Sequence, residues 1–123
     1  MSDPSVKAVV AYAPGSVSNL GPGFDCLGVA FTGRGDRVTA RRTDGGGVRV
    51  TAVSDARIPV AAERNTAAIA AAAVIRRAGV DAGLELTIEK GLPMAAGMGG
   101  SGASAVADRP GRKDRWRIRR PRL

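Results

Sequence analysis

The segment Pro93–Ser104 reads PMAAGMGGSGAS and directly follows the alternating run Leu84–Lys90, LELTIEK. The alternation predicts a strand, and the glycines and serines after it predict a loop that leads into a helix starting near Gly99 or Gly100. Backbone N–H groups at a helix start carry partial positive charge and favour the oxygens of a phosphate. The segment therefore predicts a phosphate-binding turn, with a flexible glycine-rich connection as the alternative.

A second informative segment, Ala13–Gly28, reads APGSVSNLGPGFDCLG. Asn19 offers both a donor and an acceptor, and Asp25 offers a carboxylate that can hold a substrate ammonium or hydroxyl group. In an ordinary loop these two side chains would satisfy local backbone groups instead. Cys26, beside Leu27, is predicted to be a small buried apolar residue.

The spacing of apolar and turn-forming residues predicts the remaining elements. Strands are predicted at Lys7–Ala13, where the Pro14-Gly15 turn ends the strand, at Cys26–Thr32, and at Arg37–Arg42 and Gly47–Val53, which form a hairpin. Ser16–Gly23 is predicted to be a loop. A helix is predicted at Thr66–Ala78, capped by Asn65 and ended by Gly79, and a second helix runs to Ala107.

The composition bounds the class of protein. The chain has 123 residues, of which 44% are apolar and only 3% aromatic, so one modest core of Ala, Val, Leu and Ile is expected. One cysteine and no histidine exclude an internal disulfide and histidine metal ligands. Without a signal-peptide pattern or a long apolar run, we expect a cytoplasmic protein with no membrane partner.

The net charge of +8 is concentrated at one end of the chain. Asp108–Leu123 holds eight Lys/Arg and two Asp, whereas residues 1–107 hold eleven Lys/Arg and nine Asp/Glu. We expect this basic tail to be a disordered, non-native segment. A small nucleic-acid-binding protein driven by the tail is the alternative, and the nearly even charge of the body argues against it.

Together the two segments resemble the GHMP small-molecule kinases. APGSVSNLGPGFDCLGVAF (Ala13–Phe31) resembles their first motif in the form of the homoserine branch, and PMAAGMGGSGAS resembles their phosphate-binding motif. The resemblance implies an ATP-binding N-terminal domain over residues 1–107, partial in extent. Its implied fold is α+β, like domain 2 of ribosomal protein S5, with a mixed sheet and helices on one side.

The resemblance also implies a reaction and its components. The reaction is phosphorylation of L-homoserine to O-phospho-L-homoserine, a step toward threonine, with ATP and Mg²⁺ as cofactors and a homodimer for the full-length family. Another GHMP kinase acting on mevalonate or a sugar is the alternative, and the Asn19–Asp25 pattern favours homoserine. No catalytic side chain is implied in this part of the chain, because phosphoryl transfer depends mainly on positioning and charge stabilisation.

Site residues follow by position in the two motifs. Asn19 and Asp25 would contact homoserine, Ser101 would lie near magnesium, and Asn65 and Lys90 would lie near the nucleotide. The alternatives are that Asn65 serves only as a helix cap and that Lys90 is a solvated strand end. The residues implied in ATP binding are Pro93, Met94, Ala95, Ala96, Gly97, Met98, Gly99, Gly100, Ser101, Gly102 and Ala103.

The chain also departs from the family pattern. Gly100 stands where a serine is usual and Gly102 where an alanine is usual, which removes a hydroxyl and loosens the helix start. The family extends well beyond this length, and arginine-rich tails such as the one after Ala107 arise when a GC-rich gene is read in a shifted frame. We therefore hypothesise a truncated or frame-disrupted kinase with impaired turnover.

Overall fold

A computed structural model of the chain describes residues 8–107, in which a four-stranded mixed sheet carries two α-helices. The strand order is β1-β2-β4-β3, and only the β3–β4 pair is parallel. The predicted basic tail lies outside the described residues. The elements are β1 (Ala8–Leu20), β2 (Gly23–Thr43), β3 (Gly47–Val53), a 3₁₀ turn (Ala62–Arg64), α1 (Thr66–Ala78), β4 (Gly83–Glu89) and α2 (Gly100–Ala107).

The first two strands form one long hairpin, so the predicted loop Ser16–Gly23 is largely wrong. β1 continues through the Pro14-Gly15 pair, where the register shifts, and the chain turns at Gly21. The Gly15 backbone packs so closely on Phe31 that an added Cβ would lie 2.4 Å from its Cζ. This glycine therefore permits a close contact within a bulged strand and does not end the strand.

The predicted strand Cys26–Thr32 is confirmed as part of β2, but the predicted burial of Cys26 is wrong. The tip half of the hairpin projects beyond the helices, and every residue from Phe24 to Ala30 is exposed. Cys26 is exposed because nothing in the described part of the chain covers this portion of the sheet.

The predicted hairpin between the second and third strands is also wrong, because β4 lies between them. β4 pairs antiparallel with β2 and parallel with β3. Leu86 and Ile88 of β4 are at most 1% exposed, and the central position buries these large apolar side chains. After the glycine-rich turn at Asp44–Gly46, the chain therefore skips the position next to β2, which β4 occupies, and forms β3 on the far side of β4.

The core lies between one face of the sheet and the helices, as the resemblance implied. Val38 and Ala40 of β2 face the buried side, and Ala67, Ala68 and Ala71 of α1 are at most 1% exposed. Small side chains let the helix approach the sheet closely, at the cost of little apolar area per residue. Within residues 8–107, no helix is both long enough and apolar enough to cross a membrane.

The bounds of α1 agree with the prediction. Asn65 caps its start by accepting hydrogen bonds from the N–H groups of Ala67 and Ala68. Gly79 ends it in the left-handed conformation, with φ of 63°. The second helix begins at Gly100, as predicted from the glycine-rich segment.

Candidate functional site

A cavity of about 400 Å³ lies between the glycine-rich segment and the start of α1. We call residues Pro93–Gly99 the glycine loop, because they form the irregular backbone between β4 and α2. The first residues of both helices, Thr66 and Gly100, line the cavity. Two helix N-termini therefore direct their positive ends toward one space, which suits an anion.

The backbone of the glycine loop is available to a ligand. Among the described residues, no hydrogen bond is donated by an N–H group from Met94 to Gly102, and the first donor is Ala103 N, 2.8 Å from Gly99 O. Ala95, Gly97 and Gly99 have φ between 56° and 69°. Successive turns of this kind form a backbone concavity whose N–H groups can share a phosphate.

The glycine loop meets the first hairpin. Ser16 N donates to Met98 O at 3.1 Å, and a Cβ added at Gly99 would lie 2.7 Å from Ser16 Oγ. The structure therefore joins the two segments that sequence analysis singled out. Asn19 and Asp25 do not line the cavity; Asn19 lies three residues beyond Ser16, about 10 Å along the strand.

Asn19 and Asp25 lie together at the hairpin tip. Asn19 Oδ1 accepts a hydrogen bond from Asp25 N at 2.8 Å, and both residues adopt the left-handed conformation, with φ of 59° and 57°. The Asp25 carboxylate has no partner among the described hydrogen bonds and ion pairs. The pair thus presents a fixed backbone and an exposed carboxylate that can bind an ammonium or a hydroxyl group.

Asn65 lies at the cavity wall, but its side chain is hydrogen-bonded within the protein. Its Oδ1 accepts from Ala67 N and Ala68 N at 3.1 and 3.2 Å, and its Nδ2 donates to Pro59 O at 2.8 Å. The residue is 2% exposed. Its contribution to a nucleotide site would therefore be to fix the start of α1.

Lys90 also lines the cavity, yet its ammonium is bonded within the protein. Lys90 Nζ forms an ion pair with Asp36 and donates to Gly100 O at 2.9 Å and to Ser104 Oγ at 3.1 Å. Its side chain is 7% exposed and that of Asp36 is 0% exposed. The positive charge is therefore compensated before any ligand binds.

Asp36 is a central polar residue that the sequence analysis missed. Its Oδ2 accepts from Ser104 Oγ at 2.7 Å, and its Oδ1 accepts from Gly91 N and Leu92 N at 3.2 and 3.3 Å. Asp36 thus connects β2, the residues before the glycine loop, and α2. Its partners supply the hydrogen bonds that a buried carboxylate requires.

Ser101 is exposed on the first turn of α2 and lines the cavity. It can offer its hydroxyl to a phosphate or to a magnesium ion. No aspartate or glutamate lines the cavity, and residues 8–107 contain no group of three acidic, cysteine or histidine side chains arranged for a metal. Magnesium would therefore be held here mainly through phosphate oxygens, with Ser101 beside it.

The loop after β3 forms the remaining wall and carries a tight ion pair. Asp55 accepts hydrogen bonds from Arg57 N, Nε and Nη2 at 3.0, 2.9 and 2.6 Å. These bonds to Arg57 lower the pKa of Asp55 from 3.8 to about 2. The pair holds the local turn that precedes Ile58 and Pro59 of the cavity wall.

The sequence is similar both to a protein-family model and to individual proteins. Residues 65–107 match the family model of the GHMP kinases N terminal domain. The chain is 46% identical to the homoserine kinase of Xanthomonas campestris pv. campestris (strain B100) over 99 residues, which cover 79% of this chain and 31% of the relative. It is 46% identical to the homoserine kinase of Thermoplasma acidophilum over 104 residues, which cover 85% of this chain and 32% of the relative.

The fold comparison agrees with the sequence comparison. A crystal structure of homoserine kinase from Cytophaga hutchinsonii ATCC 33406 matches with a TM-score of 0.81 and 35% identity. The match covers 88% of this chain and 35% of that one. The chain thus spans about a third of the length of the relatives it matches.

Proposed function

We propose, from the premise that this chain is a homologue of the N-terminal third of homoserine kinases, that it forms the nucleotide-holding part of such an enzyme. The proposed reaction is ATP-dependent phosphorylation of L-homoserine, with Mg²⁺ bound with the ATP phosphates. The observation that carries the proposal is the run of N–H groups from Met94 in the glycine loop to Gly102 in the first turn of α2, which donate no hydrogen bond within residues 8–107 and lie beside two helix N-termini.

We propose that one region binds the phosphates of ATP and that another binds homoserine. The glycine loop and the starts of α1 and α2 would bind the phosphates through backbone N–H groups and the Ser101 hydroxyl. ATP, when bound, supplies the phosphoryl group. The exposed Asp25 carboxylate would hold the ammonium of homoserine, and Asn19 would keep Asp25 in place through its bond to the Asp25 N–H.

The proposal also includes a cellular location and an oligomeric state. A cytoplasmic location is supported by the lone, exposed Cys26, because unpaired thiols are common in reducing compartments. A homodimer of the full-length enzyme is supported by the family resemblance. Cell fractionation and sedimentation velocity would test these two points.

Nucleotide binding is tested by titrating MgATP into ¹⁵N-labelled protein. The largest shift changes are expected from Gly97 to Ser101 and at the start of α1. Gly99→Ala should abolish them, since its Cβ would lie 2.7 Å from Ser16 Oγ and its φ of 69° disfavours a side chain. The matched control is Gly46→Ala in the β2–β3 turn, where a Cβ meets no atom within 4 Å. Shifts confined to other regions would contradict the proposed site.

The acceptor is tested with a chimera in which residues 8–107 replace the matching third of the Cytophaga hutchinsonii enzyme. We expect ATP-dependent phosphorylation of L-homoserine and no comparable turnover of mevalonate or galactose. A folded chimera that prefers either of those acceptors would overturn the homoserine assignment. Such a result would support the alternative GHMP kinase function.

A further inference from the structure

We infer that Asp36 is a positioning residue that fixes both ends of the glycine loop for binding a triphosphate, an inference that rests on the proposed function. Asp36 is 0% exposed and does not line the cavity, so it acts through other groups. It is held in β2, whose neighbours in the sheet are β1 and β4. The carboxylate therefore belongs to a strand that is hydrogen-bonded to a neighbouring strand on each side.

One carboxylate oxygen holds the beginning of the loop. Asp36 Oδ1 accepts from Gly91 N at 3.2 Å and from Leu92 N at 3.3 Å. These two N–H groups lie immediately before Pro93, where the loop starts. Bonds to an ionised acceptor are stronger than neutral ones, so this end is firmly attached to β2.

The other carboxylate oxygen holds the end of the loop. Asp36 Oδ2 accepts from Ser104 Oγ at 2.7 Å and pairs with the Lys90 ammonium. Lys90 Nζ in turn donates to Gly100 O at 2.9 Å. The first turn of α2 is therefore tied to the same carboxylate as the residues before the loop.

The loop needs this support because it has little of its own. Its N–H groups donate no hydrogen bond among the described residues, and three of its residues have positive φ. Segments with few internal hydrogen bonds open easily. Fixing both ends lowers the entropy lost when the N–H groups gather around an anion, which is the gain expected from preorganisation.

The compensated charge of Lys90 supports the same role. A buried ion pair is weak evidence for stability, since apolar replacements often serve as well. Here the pair occupies the one lysine of the cavity wall, which leaves the loop N–H groups and the exposed Arg64 as the positive groups that an anion can meet. The placement of the loop N–H groups, and hence Asp36, should then contribute to the affinity for phosphate groups.

The test compares Asp36→Asn with the unmodified chain by backbone ¹⁵N order parameters from Met94 to Gly102. We expect the unmodified loop to be near 0.85 and the variant to fall toward about 0.6. In the variant, the carboxamide can still accept from Gly91 N and Leu92 N, but its NH₂ group meets the donors Lys90 and Ser104. We also expect MgATP affinity to fall about tenfold while adenosine affinity is unchanged, because only the phosphates contact the loop.

Ser104→Ala is the second variant, because Asp36→Asn leaves a buried lysine unpaired and can prevent folding. Alanine favours a helix, so α2 is retained while one tie to Asp36 is lost. The matched control for charge removal is Asp44→Asn in the exposed β2–β3 turn. We expect Ser104→Ala to raise loop mobility and lower MgATP affinity, and Asp44→Asn to change neither.

The outcomes separate this inference from the proposed function. Loop order parameters in Ser104→Ala equal to those of the control would overturn the inference, as would an equal loosening of α1 and β4. A rigid loop that Ser104→Ala loosens, in a protein that does not bind MgATP, would support the positioning role and refute the proposed function.

Discussion

Asn19 and Asp25 adopt the same left-handed conformation at the hairpin tip, but their side chains differ in what they bind. Asn19 is satisfied by a bond to the backbone of Asp25, whereas the Asp25 carboxylate is exposed. The Asn19 side chain therefore contributes to the structure of the turn, whereas the Asp25 carboxylate is available for the ligand contact proposed above.

This difference leads to the first prediction. Asp25→Asn should lower the affinity for L-homoserine about tenfold, since it removes the charge proposed to face the ammonium but keeps the N–H that bonds to Asn19. The melting temperature should stay the same. Asn19→Ala should lower the melting temperature, because it removes the 2.8 Å bond. Calorimetric titration and circular dichroism measure the two effects, and equal destabilisation by both variants would contradict the assignment.

A second prediction concerns pH. The bonds from Arg57 lower the pKa of Asp55 to about 2, below its ordinary value of 3.8. Because the folded-state pKa is lowered, the stabilisation is present above about pH 4 and is lost as the pH falls through 2. A carboxyl ¹³C titration should show a midpoint near pH 2, moving toward 3.8 in Arg57→Gln. A midpoint unchanged by that substitution would exclude Arg57 as the cause.

Sequence pattern reveals some residues of the site and hides others. Asp36 could have been recognised from its alternation with Val38 and Ala40, which places an acidic residue on the buried face of a strand. Its partner Lys90 lies 54 positions later. The two residues meet because β2 and β4 are neighbours in the sheet, and a local sequence pattern does not indicate which strands are neighbours.

The helices illustrate how local chemistry sets an element's limits. Asn65 and Gly79 provide both caps of α1, so its bounds could be read from sequence. The strands were less predictable, because glycine has several roles: Gly15 allows close packing within a strand, whereas Gly21 allows a turn. Only the surroundings distinguish these roles.

The third prediction concerns α2. A Cβ at Gly102 would meet no atom within 4 Å, and the residue lies within the helix. Gly102→Ala should therefore raise the free energy of unfolding by about 1 kcal/mol, because alanine loses less backbone entropy in a helix. Denaturant titration measures this change. An unchanged or lower stability would mean that α2 contributes little to the folded state of the chain.

The whole molecule is held by a small core. Within the part of the chain that the structure describes, the large side chains that are fully buried are Leu86, Ile88, Val38 and Asp36, and alanines supply much of the rest. The hairpin also leaves Phe24 and Leu27 at least 56% exposed. Such a core leaves a narrow margin of stability, typical values for a domain being about 5–15 kcal/mol.

The fourth prediction follows from that margin. Leu86→Ala in the central strand should cost about 2–5 kcal/mol, since it opens a cavity where β2, β3 and β4 meet. Thermal unfolding followed by circular dichroism should lose its cooperative transition or shift strongly downward. Val10→Ala, at an exposed position of β1, is the control and should change little. Similar melting curves for both variants would show that the core is elsewhere.

At this scale the α+β class and the single layer of helices could be predicted, and the strand order could not. The β2 and β3 patterns, joined by Asp44–Gly46, satisfy every local rule for a hairpin. The insertion of β4 is favoured by burial of Leu86 and Ile88, a gain that appears only when the whole sheet is assembled.

The late arrival of β4 has a kinetic consequence. On a growing chain, β2 and β3 emerge from the ribosome before β4, and the turn between them favours their pairing with each other. Any β2–β3 ladder formed at that stage would have to separate before β4 enters, which would add a barrier to maturation and a temporary opportunity for aggregation.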